Sequence, residues 1–279
     1  MSIRNTNIPA LVFNLFTIVS LTTVTASGQT SDWSDYGYVY LNGGVQVGSR
    51  SFTRTLSADL YDESALFNVS QSSATGGFID VGGAIRLWNS LGLGIGITTF
   101  AASNTVNISG LVPHPLFYNS PRTVAVSHDD WLYMNQSDLI HRQVSTHISA
   151  VYVIPISDRI NFSVSGGPSV IRVTQDFADG IAFATESYPA DAVVPTKLLT
   201  ESKRATGLGF HKGFDVAYML PDRPILGFSG FRLGVGMAFR YTTTSTDFDV
   251  ATSAEQTGNT LLSLNAGGTQ IGAGLRIKF

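Results

Sequence analysis

Cysteine is absent from this chain. Disulfide bridges, thiolate metal sites, cysteine nucleophiles and a lipoprotein anchor are therefore excluded. A metal site would have to use histidine and carboxylates, but the five histidines show no HExxH-like spacing. We therefore expect neither a metal site nor a cofactor.

Charged side chains are also scarce. They make up 13% of the 279 residues, whereas an ordinary soluble domain carries about 25%. Glycine takes much of their place, with 28 residues, which argues against a soluble helical enzyme. The 17 Phe, 10 Tyr and 3 Trp are too many aromatics for a disordered chain. A net charge of −3 offers no basic excess, so we expect no nucleic-acid partner.

The N-terminal residues have the pattern of an export signal. Arg4 is the only charge before Asp32, and it precedes an apolar stretch over 8–24. Small residues follow at 26–28, as at the cleavage site of a secretory signal. The stretch is short for a membrane anchor, which needs about 20 apolar residues. We predict a signal peptide over 1–28, with one mature domain over 29–279 that works outside the cytoplasm.

Beyond the signal, no apolar run is long enough for a transmembrane helix, and apolar residues instead alternate with small or polar ones. The C-terminal segment shows this most clearly, with apolar Ile271, Ala273, Leu275, Ile277 and Phe279 between Gln270, Gly272, Gly274, Arg276 and Lys278. Segments from Phe231 and from Leu91 repeat the pattern. A period of two residues predicts β-strands with two unlike faces.

The composition of the second face decides between classes of β protein. It is rich in glycine, alanine and serine, and bare glycine on a solvent face would weaken a strand without benefit. Inside a narrow closed barrel, where little volume is available, glycine is suitable. The apolar face then contacts lipid and the few charges point into the lumen, which is the pattern of a transmembrane β-barrel.

Eight strands are predicted, separated by connections that alternate in length. The strands lie near 38–56, 67–87, 91–108, 144–156, 160–177, 206–220, 231–248 and 260–279. Short links fall at 88–90, 157–159 and 221–230, and long polar links at 57–66, 109–143, 178–205 and 249–259. This alternation places both termini on the short-turn side, which is the periplasmic side in bacterial barrels.

Two positions disturb the pattern of faces. Pro168 cannot donate to a β-ladder, so we expect a bulge over 166–168. Lys212 falls on the lipid face of its strand, which indicates either a bulge at Gly213 or a strand end above the bilayer.

A signal segment, eight amphipathic strands, alternating turn lengths and the final strand IGAGLRIKF resemble the small eight-stranded outer-membrane barrels. The chain is similar to the transmembrane domain of outer membrane protein A and to the opacity proteins. The resemblance implies a bacterial outer membrane and surrounding outer-membrane lipid. It also implies that the last strand, ending in Phe279, is recognised by the barrel-assembly machinery.

The candidate site is the lumen, because the pattern of faces points charged side chains into it. The candidate ligand-binding residues are Asp80, Arg86, Arg159, Asp215, Arg232, Arg240 and Arg276, accompanied by Lys278, Tyr40, Asn42, Gln270, His147 and His211. These charges could attract anions, or form a gated network, or simply pair with one another and with water. An eight-stranded interior is just filled by its own side chains, which favours internal pairing.

No catalytic residue is predicted. The run from Ser127 to Asp130 holds serine, histidine and carboxylates, but neighbours in an extended segment point opposite ways. We predict a non-enzymatic barrel that serves envelope structure or surface-loop interaction, with a surface partner that the sequence does not identify. A narrow porin-like channel or small-ligand barrel is the alternative, and a secreted β-sandwich also fits the alternation.

Overall fold

The computed structural model describes residues 33–48, 50–60, 63–73, 75–114, 121–126, 139–185, 193–221, 230–251 and 259–279. These residues form one sheet of eleven strands. The strands are β1 (Gly37–Val47), β2 (Arg50–Leu60), β3 (Glu63–Ser73), β4 (Gly76–Trp88), β5 (Leu91–Val112), β6 (Arg122–Val126), β7 (Leu139–Pro155), β8 (Ile160–Thr185), β9 (Val193–Met219), β10 (Arg232–Ala251) and β11 (Asn259–Lys278). Within the described part of the chain, no helix has the length and apolarity to cross a bilayer.

Eight of these strands close into a ring. β1 pairs with β11 on one side and with β4 on the other, and β5 pairs with both β4 and β7. The remaining neighbours are β7 with β8, β8 with β9, β9 with β10 and β10 with β11, and every pairing is antiparallel. The predicted eight-stranded antiparallel barrel is confirmed, while the predicted signal peptide over 1–28 lies outside the described residues.

Three short strands lie outside the ring. The predicted strand over 38–56 is divided into β1 and β2, and the one over 67–87 into β3 and β4. β2 and β3 form a hairpin, and β3 pairs with β5 beyond the point where β4 leaves it. β6 pairs with β5 from within the predicted 109–143 link.

The bulge expected over 166–168 was a wrong prediction. The pairs His147 with Ser169 and Ala150 with Gly166 share one β7–β8 register, so Pro168 interrupts the hydrogen bonds without shifting the ladder. Lys212 does face outwards, but the β9–β10 register runs through Gly213 without a shift. Its Nζ lies 5.8 Å from the centre of the Tyr241 ring.

The strands are longer than predicted at the end opposite the short turns. β8 and β9 continue through most of the predicted 178–205 link, to Thr185 and from Val193. Register shifts at Ala178/Gly180 and Ala182/Phe183 accompany this extension. The short turns are compact: the turn after β4 contains Asn89, whose φ of 47° lies in the left-handed region.

The two faces of β5 exchange character near Thr98. Towards the short turns, the outward side chains are apolar and the inward ones small: Leu91, Leu93, Ile95 and Ile97 face outwards, with Gly92, Gly94 and Gly96 inside. Beyond Thr98, the outward side chains include Thr99, Ser103, Thr105, Asn107 and Ser109, with Phe100, Ala102, Val106 and Ile108 inside. An apolar outside with a small or polar inside suits lipid, and the reverse suits water.

We call the part of the barrel beyond this exchange the head. Its interior holds two apolar clusters. The first contains Leu56, Ala65, Phe67, Val69, Val106, Ile108, Val112, Leu139, Ala178 and Leu198. The second contains Ile171, Val173, Phe177, Phe248 and Ala266. The head is therefore packed like a water-soluble β domain, whereas the middle of the barrel has a polar interior.

Candidate functional site

The centre of the lumen is an ion pair between β4 and β10. Arg240 donates from Nη1 to Asp80 Oδ1 and from Nη2 to Asp80 Oδ2, each at 3.0 Å. The side chain of Asp80 is 2% exposed. Thr98 Oγ1 donates to Asp80 Oδ1 at 2.8 Å and Asn42 Nδ2 donates to Oδ2 at 3.2 Å. The Tyr40 hydroxyl accepts from Arg240 Nη2, so both buried charges are paired and hydrogen-bonded.

A chain of hydrogen bonds leads sideways from this pair. His147 Nε2 lies 3.2 Å from Thr98 Oγ1, and Ser169 Oγ lies 2.8 Å from both His147 Nδ1 and His211 Nδ1. His211 Nε2 lies 2.9 Å from Ser149 Oγ. The chain therefore connects five strands of the ring: β4, β5, β7, β8 and β9.

The direction of this chain follows from Asp80. An ionised carboxylate only accepts, so the single Thr98 proton goes to Asp80 and His147 Nε2 donates to Thr98. With both imidazoles neutral, Ser169 donates to His147 and accepts from His211, which accepts from Ser149. Each ring then donates through one nitrogen and accepts through the other.

A second ion pair lies between the centre and the short turns. Arg276 Nε donates to Asp215 Oδ1 at 3.2 Å, and its Nη2 also donates to Asp215. Arg276 Nη1 donates to Asn42 Oδ1 at 2.6 Å. The guanidinium carbon lies 5.5 Å from the centre of the Tyr40 ring. Asn42 therefore bridges the two ion pairs.

Residues just before β1 occupy the short-turn end of the lumen. Trp33 is 1% exposed and packs with Tyr38, Ala84, Val151 and Val153. The Trp33 carbonyl accepts a hydrogen bond from Arg86 Nη1. Asp35 forms ion pairs with two further basic residues, Arg232 and Lys278, the second at 3.1 Å.

One candidate lies at the very edge of the barrel. Arg159 is exposed in the turn between β7 and β8, where its carbonyl accepts from the Met219 backbone N–H at 2.7 Å. The other six charged candidates face inwards, and each has a partner: Asp80 with Arg240, Asp215 with Arg276, Arg232 with Asp35, and Arg86 with Trp33.

Little space remains between these side chains. A cavity of about 50 Å³ is lined by Tyr40, Ser149, Asp215 and Arg276 among others. Another of about 20 Å³ lies closer to the short turns, beside Asn161 and Lys278. A water molecule needs roughly 10–15 Å³ measured in this way, so the smaller cavity has room for one water and the larger for a few, whereas an organic ligand would not fit.

A layer of amides and one imidazole separates the polar lumen from the apolar head. Gln270 Nε2 donates to Gln46 Oε1 at 2.7 Å, and Gln46 Nε2 donates to the Gly267 carbonyl at 2.9 Å. Gln143 and His141 are joined by a bond of 2.6 Å. These side chains are each 1–4% exposed.

The sides of the head also touch across its interior. The rings of Phe52 on β2 and Phe177 on β8 have centroids 5.5 Å apart. Nearby, Arg54 Nη2 lies 3.4 Å from Asp179 Oδ1. Burial lowers the pKa of the Arg54 guanidinium, while Asp179 acts in the opposite direction. The head interior is therefore closed by direct contact between opposite walls.

In the described residues, no group of three metal-ligating side chains could hold a metal ion. The run from Ser127 to Asp130, considered above for catalysis, lies outside the described residues.

Sequence reasoning missed Trp33, Asp35 and Ser169. The sequence could have indicated the ion pairs of Asp35, because this acid lies directly before the first strand, at the same end of the barrel as Arg232 and Lys278. Ser169 carries none, because many serines occupy inward positions and only the fold shows which one lies between two histidines.

No protein-family model matches this chain, and no curated protein matches it. Among solved structures, it is similar to the neisserial surface protein A, at 14% identity over 87% of this chain and 97% of that one, with a TM-score of 0.35. It is also similar to the attachment invasion locus protein Ail of Yersinia pestis (10% identity, 86% and 98% coverage, TM-score 0.31). A third match is the β domain of the Bordetella autotransporter BrkA (10%, 87% and 98%, TM-score 0.23).

These likenesses concern the fold alone. The closed ring, the exchange of faces along β5 and the polar lumen are features of the chain itself. The chain itself forms a closed eight-stranded antiparallel β-barrel with an apolar outer band and a largely polar lumen.

Proposed function

We propose that the protein is a non-enzymatic outer-membrane barrel with a closed lumen, which serves envelope structure or surface interaction through its head. The observation that carries this proposal is the succession of closures along the barrel axis. Trp33 fills the short-turn end, the two ion pairs fill the centre, and the apolar clusters fill the head. A solute would have to displace paired charges and then an apolar core.

The length of the strands supports a role for the head. β8 and β9 contain 26 and 27 residues, whereas about 9–11 tilted residues are enough to cross a bilayer. From Arg172 to Thr185, β8 continues for roughly 45 Å along the strand. In the proposed orientation, with the short turns in the periplasm, this head projects from the cell surface and presents a rigid platform to a partner.

Assembly belongs to the same proposal. Residues 1–28 direct export, and the strand ending in Phe279 is presented to the barrel-assembly machinery. In the folded barrel, the backbone N–H groups of Tyr36 and Gly37 donate to the Phe279 carbonyl at 2.7 and 3.1 Å. These bonds place the last residue within the closing β1–β11 seam.

Planar-bilayer conductance of the refolded protein tests the closed lumen. We expect no steady openings from the wild type. Steady openings that change when Arg276 or Arg232 is substituted would contradict the proposal and support the narrow channel instead.

A further inference from the structure

Three arginines lie close together on the outside of the barrel, on three consecutive strands. Arg142 on β7 is opposite Thr174 on β8, and Thr174 is opposite Arg204 on β9. With neighbouring strands about 4.8 Å apart, the backbones of Arg142 and Arg204 are roughly 10 Å apart. Arg172 lies two residues from Thr174 along β8. We call Arg142, Arg172 and Arg204 the arginine triangle; all three are exposed.

The members of the arginine triangle are not paired with acidic side chains. Among the described residues, none of its members forms an ion pair with a carboxylate. Asp176, the next outward acid on β8, accepts from the Ile140 backbone N–H at 3.0 Å and from the Ser202 hydroxyl. Asp176 is thus held by neutral donors and keeps its negative charge, so it reduces the positive charge of the surface around the arginine triangle without cancelling it.

The arginine triangle sits at the edge of the lipid-facing band. On the same strands, towards the short turns, most outward side chains are apolar: Val144, Ile148, Val170 and Leu208 are 45%, 52%, 46% and 81% exposed. The exceptions are Thr146, Thr206 and, further along β9, Lys212. Elsewhere on the barrel, the outward residues just beyond the band are neutral, for example Thr243 and Ser245 on β10 and Thr99 and Ser103 on β5. The positive charge at this level is concentrated on one side.

We propose that the arginine triangle binds the phosphate groups of a phosphorylated glycolipid of the surrounding outer leaflet. Guanidinium groups recognise phosphate with two parallel hydrogen bonds. The apolar side chains beneath accept the acyl chains of the same molecule. Because charge and apolar surface are adjacent and in the order of a lipid's headgroup and tails, the site fits an amphiphile better than a free anion.

This inference depends on the outer-membrane placement of the barrel and is independent of whether its lumen conducts.

The test uses the full mature chain, refolded in detergent, with lipid binding followed by native mass spectrometry. The probes are bisphosphorylated lipid A, the same glycolipid without phosphates, and inorganic phosphate as competitor. The test variant carries Arg142→Gln, Arg172→Gln and Arg204→Gln. Arg159→Gln, in an exposed short turn, is the matched control.

We expect the triple variant to bind bisphosphorylated lipid A at least about tenfold more weakly than the wild type, and the control to bind unchanged. The wild type should prefer the phosphorylated lipid by a similar factor. Equal binding by the triple variant, or equal binding of the dephosphorylated lipid, would overturn the proposal. Displacement by millimolar inorganic phosphate would show a site for the free anion and would overturn it too.

Folding of the variants is checked separately by heat-modifiable migration on a denaturing gel. A triple variant that migrates as a folded barrel yet fails to retain lipid supports the site. Release of the wild-type protein from membranes by high salt without detergent would show that the outer-membrane placement itself is wrong. A triple replacement by lysine should recover part of the binding, since lysine keeps the charge but loses the paired hydrogen bonds.

Discussion

Arg240 on β10 donates two parallel hydrogen bonds of 3.0 Å to the carboxylate of Asp80 on β4, in the middle of the lumen. Breaking a buried ion pair on one side leaves a charge unpaired, which costs about 3–5 kcal/mol. We therefore expect Asp80→Ala to lower the free energy of unfolding by about that amount, measured by urea unfolding in lipid vesicles.

The double replacement provides the control. Asp80→Asn with Arg240→Gln removes both charges while keeping polar groups in place, so it should cost clearly less than Asp80→Ala alone. Equal losses for the two variants would show that the charges are not coupled across the lumen.

Ser169 should matter more than its size suggests. It lies between His147 and His211, and Ser169→Ala removes one hydrogen-bond partner from a buried nitrogen of each ring. We expect a loss of roughly 1–3 kcal/mol in the free energy of unfolding. Ser165→Ala is the matched control, because Ser165 lines the water-sized cavity instead. Similar losses for both serines would argue against the hydrogen-bonded chain.

Trp33 should act as a structural plug. Removing a buried tryptophan side chain costs about 3–5 kcal/mol, so Trp33→Ala should destabilise the barrel by that order. Trp88→Ala tests the same change at a side chain that is 72% exposed, where we expect a much smaller effect. The two variants are compared by urea unfolding, and a neutral Trp33→Ala would contradict the packing of this end.

Removing a side chain from the apolar interior of the head should destabilise the head without destabilising the membrane-spanning part of the barrel. Phe177 is 1% exposed and contacts Phe52 and Phe248, with ring centroids 5.5 and 5.4 Å away. Phe177→Ala should raise amide hydrogen exchange in the head portions of β2 and β8, while the lumen-lining portion of β10 stays protected. Uniform loss of protection along all strands would show that head and membrane barrel unfold as one unit.

The alternation of residues was enough to predict the eight strands of the ring, their faces and the inward position of most charged candidates. The alternation did not reveal the division between β1 and β2, because even-numbered residues face inwards on both sides of it, as Gln46 and Leu56 do. The division between β3 and β4 does change the phase, since Val69 and Phe78 are both buried at an odd spacing. That shift, next to Gly76 and Gly77, was a signal that the sequence contained.

The head was harder to predict for a different reason. Register shifts at Ala178/Gly180 and Ala182/Phe183 interrupt the two-residue period, so the strand extension looks like a polar link. The sequence also could not show which charges pair with each other in the lumen. Alternation predicts whether a side chain points inwards, but not which side chain lies opposite it across the barrel.

The structure also changes one expectation about glycine. From the alternation of residues alone, a lumen that accepts hydroxyls predicts that a serine is tolerated at inward Gly234. A Cβ at Gly234 would lie 2.7 Å from the Tyr218 carbonyl oxygen, a backbone atom, so this substitution should be costly. Ala238 lines the water-sized cavity, and Ala238→Ser is the better inward change.

A substitution on the lipid-facing side of β10 can be compared directly with the inward Ala238→Ser change. Val235 is 48% exposed on the lipid face of β10, and Val235→Arg near the bilayer midplane should cost about 2–4 kcal/mol. Ala238→Ser should cost clearly less, because its hydroxyl enters a polar cavity. Reversible unfolding in lipid compares the two, and a neutral Val235→Arg beside a severe Ala238→Ser would mean that the faces are reversed.

The outward face of β5 should pass from lipid to water as the strand leaves the membrane. Because the chain has no cysteine, a spin label can be placed on a single introduced cysteine at outward Ile97 or at outward Ser103, in barrels inserted into vesicles. We expect the label at 97 to be accessible to oxygen and shielded from a water-soluble nickel reagent, and the label at 103 to show the opposite. Two labels that are both open to the nickel reagent, as on a soluble β-sandwich, would contradict it.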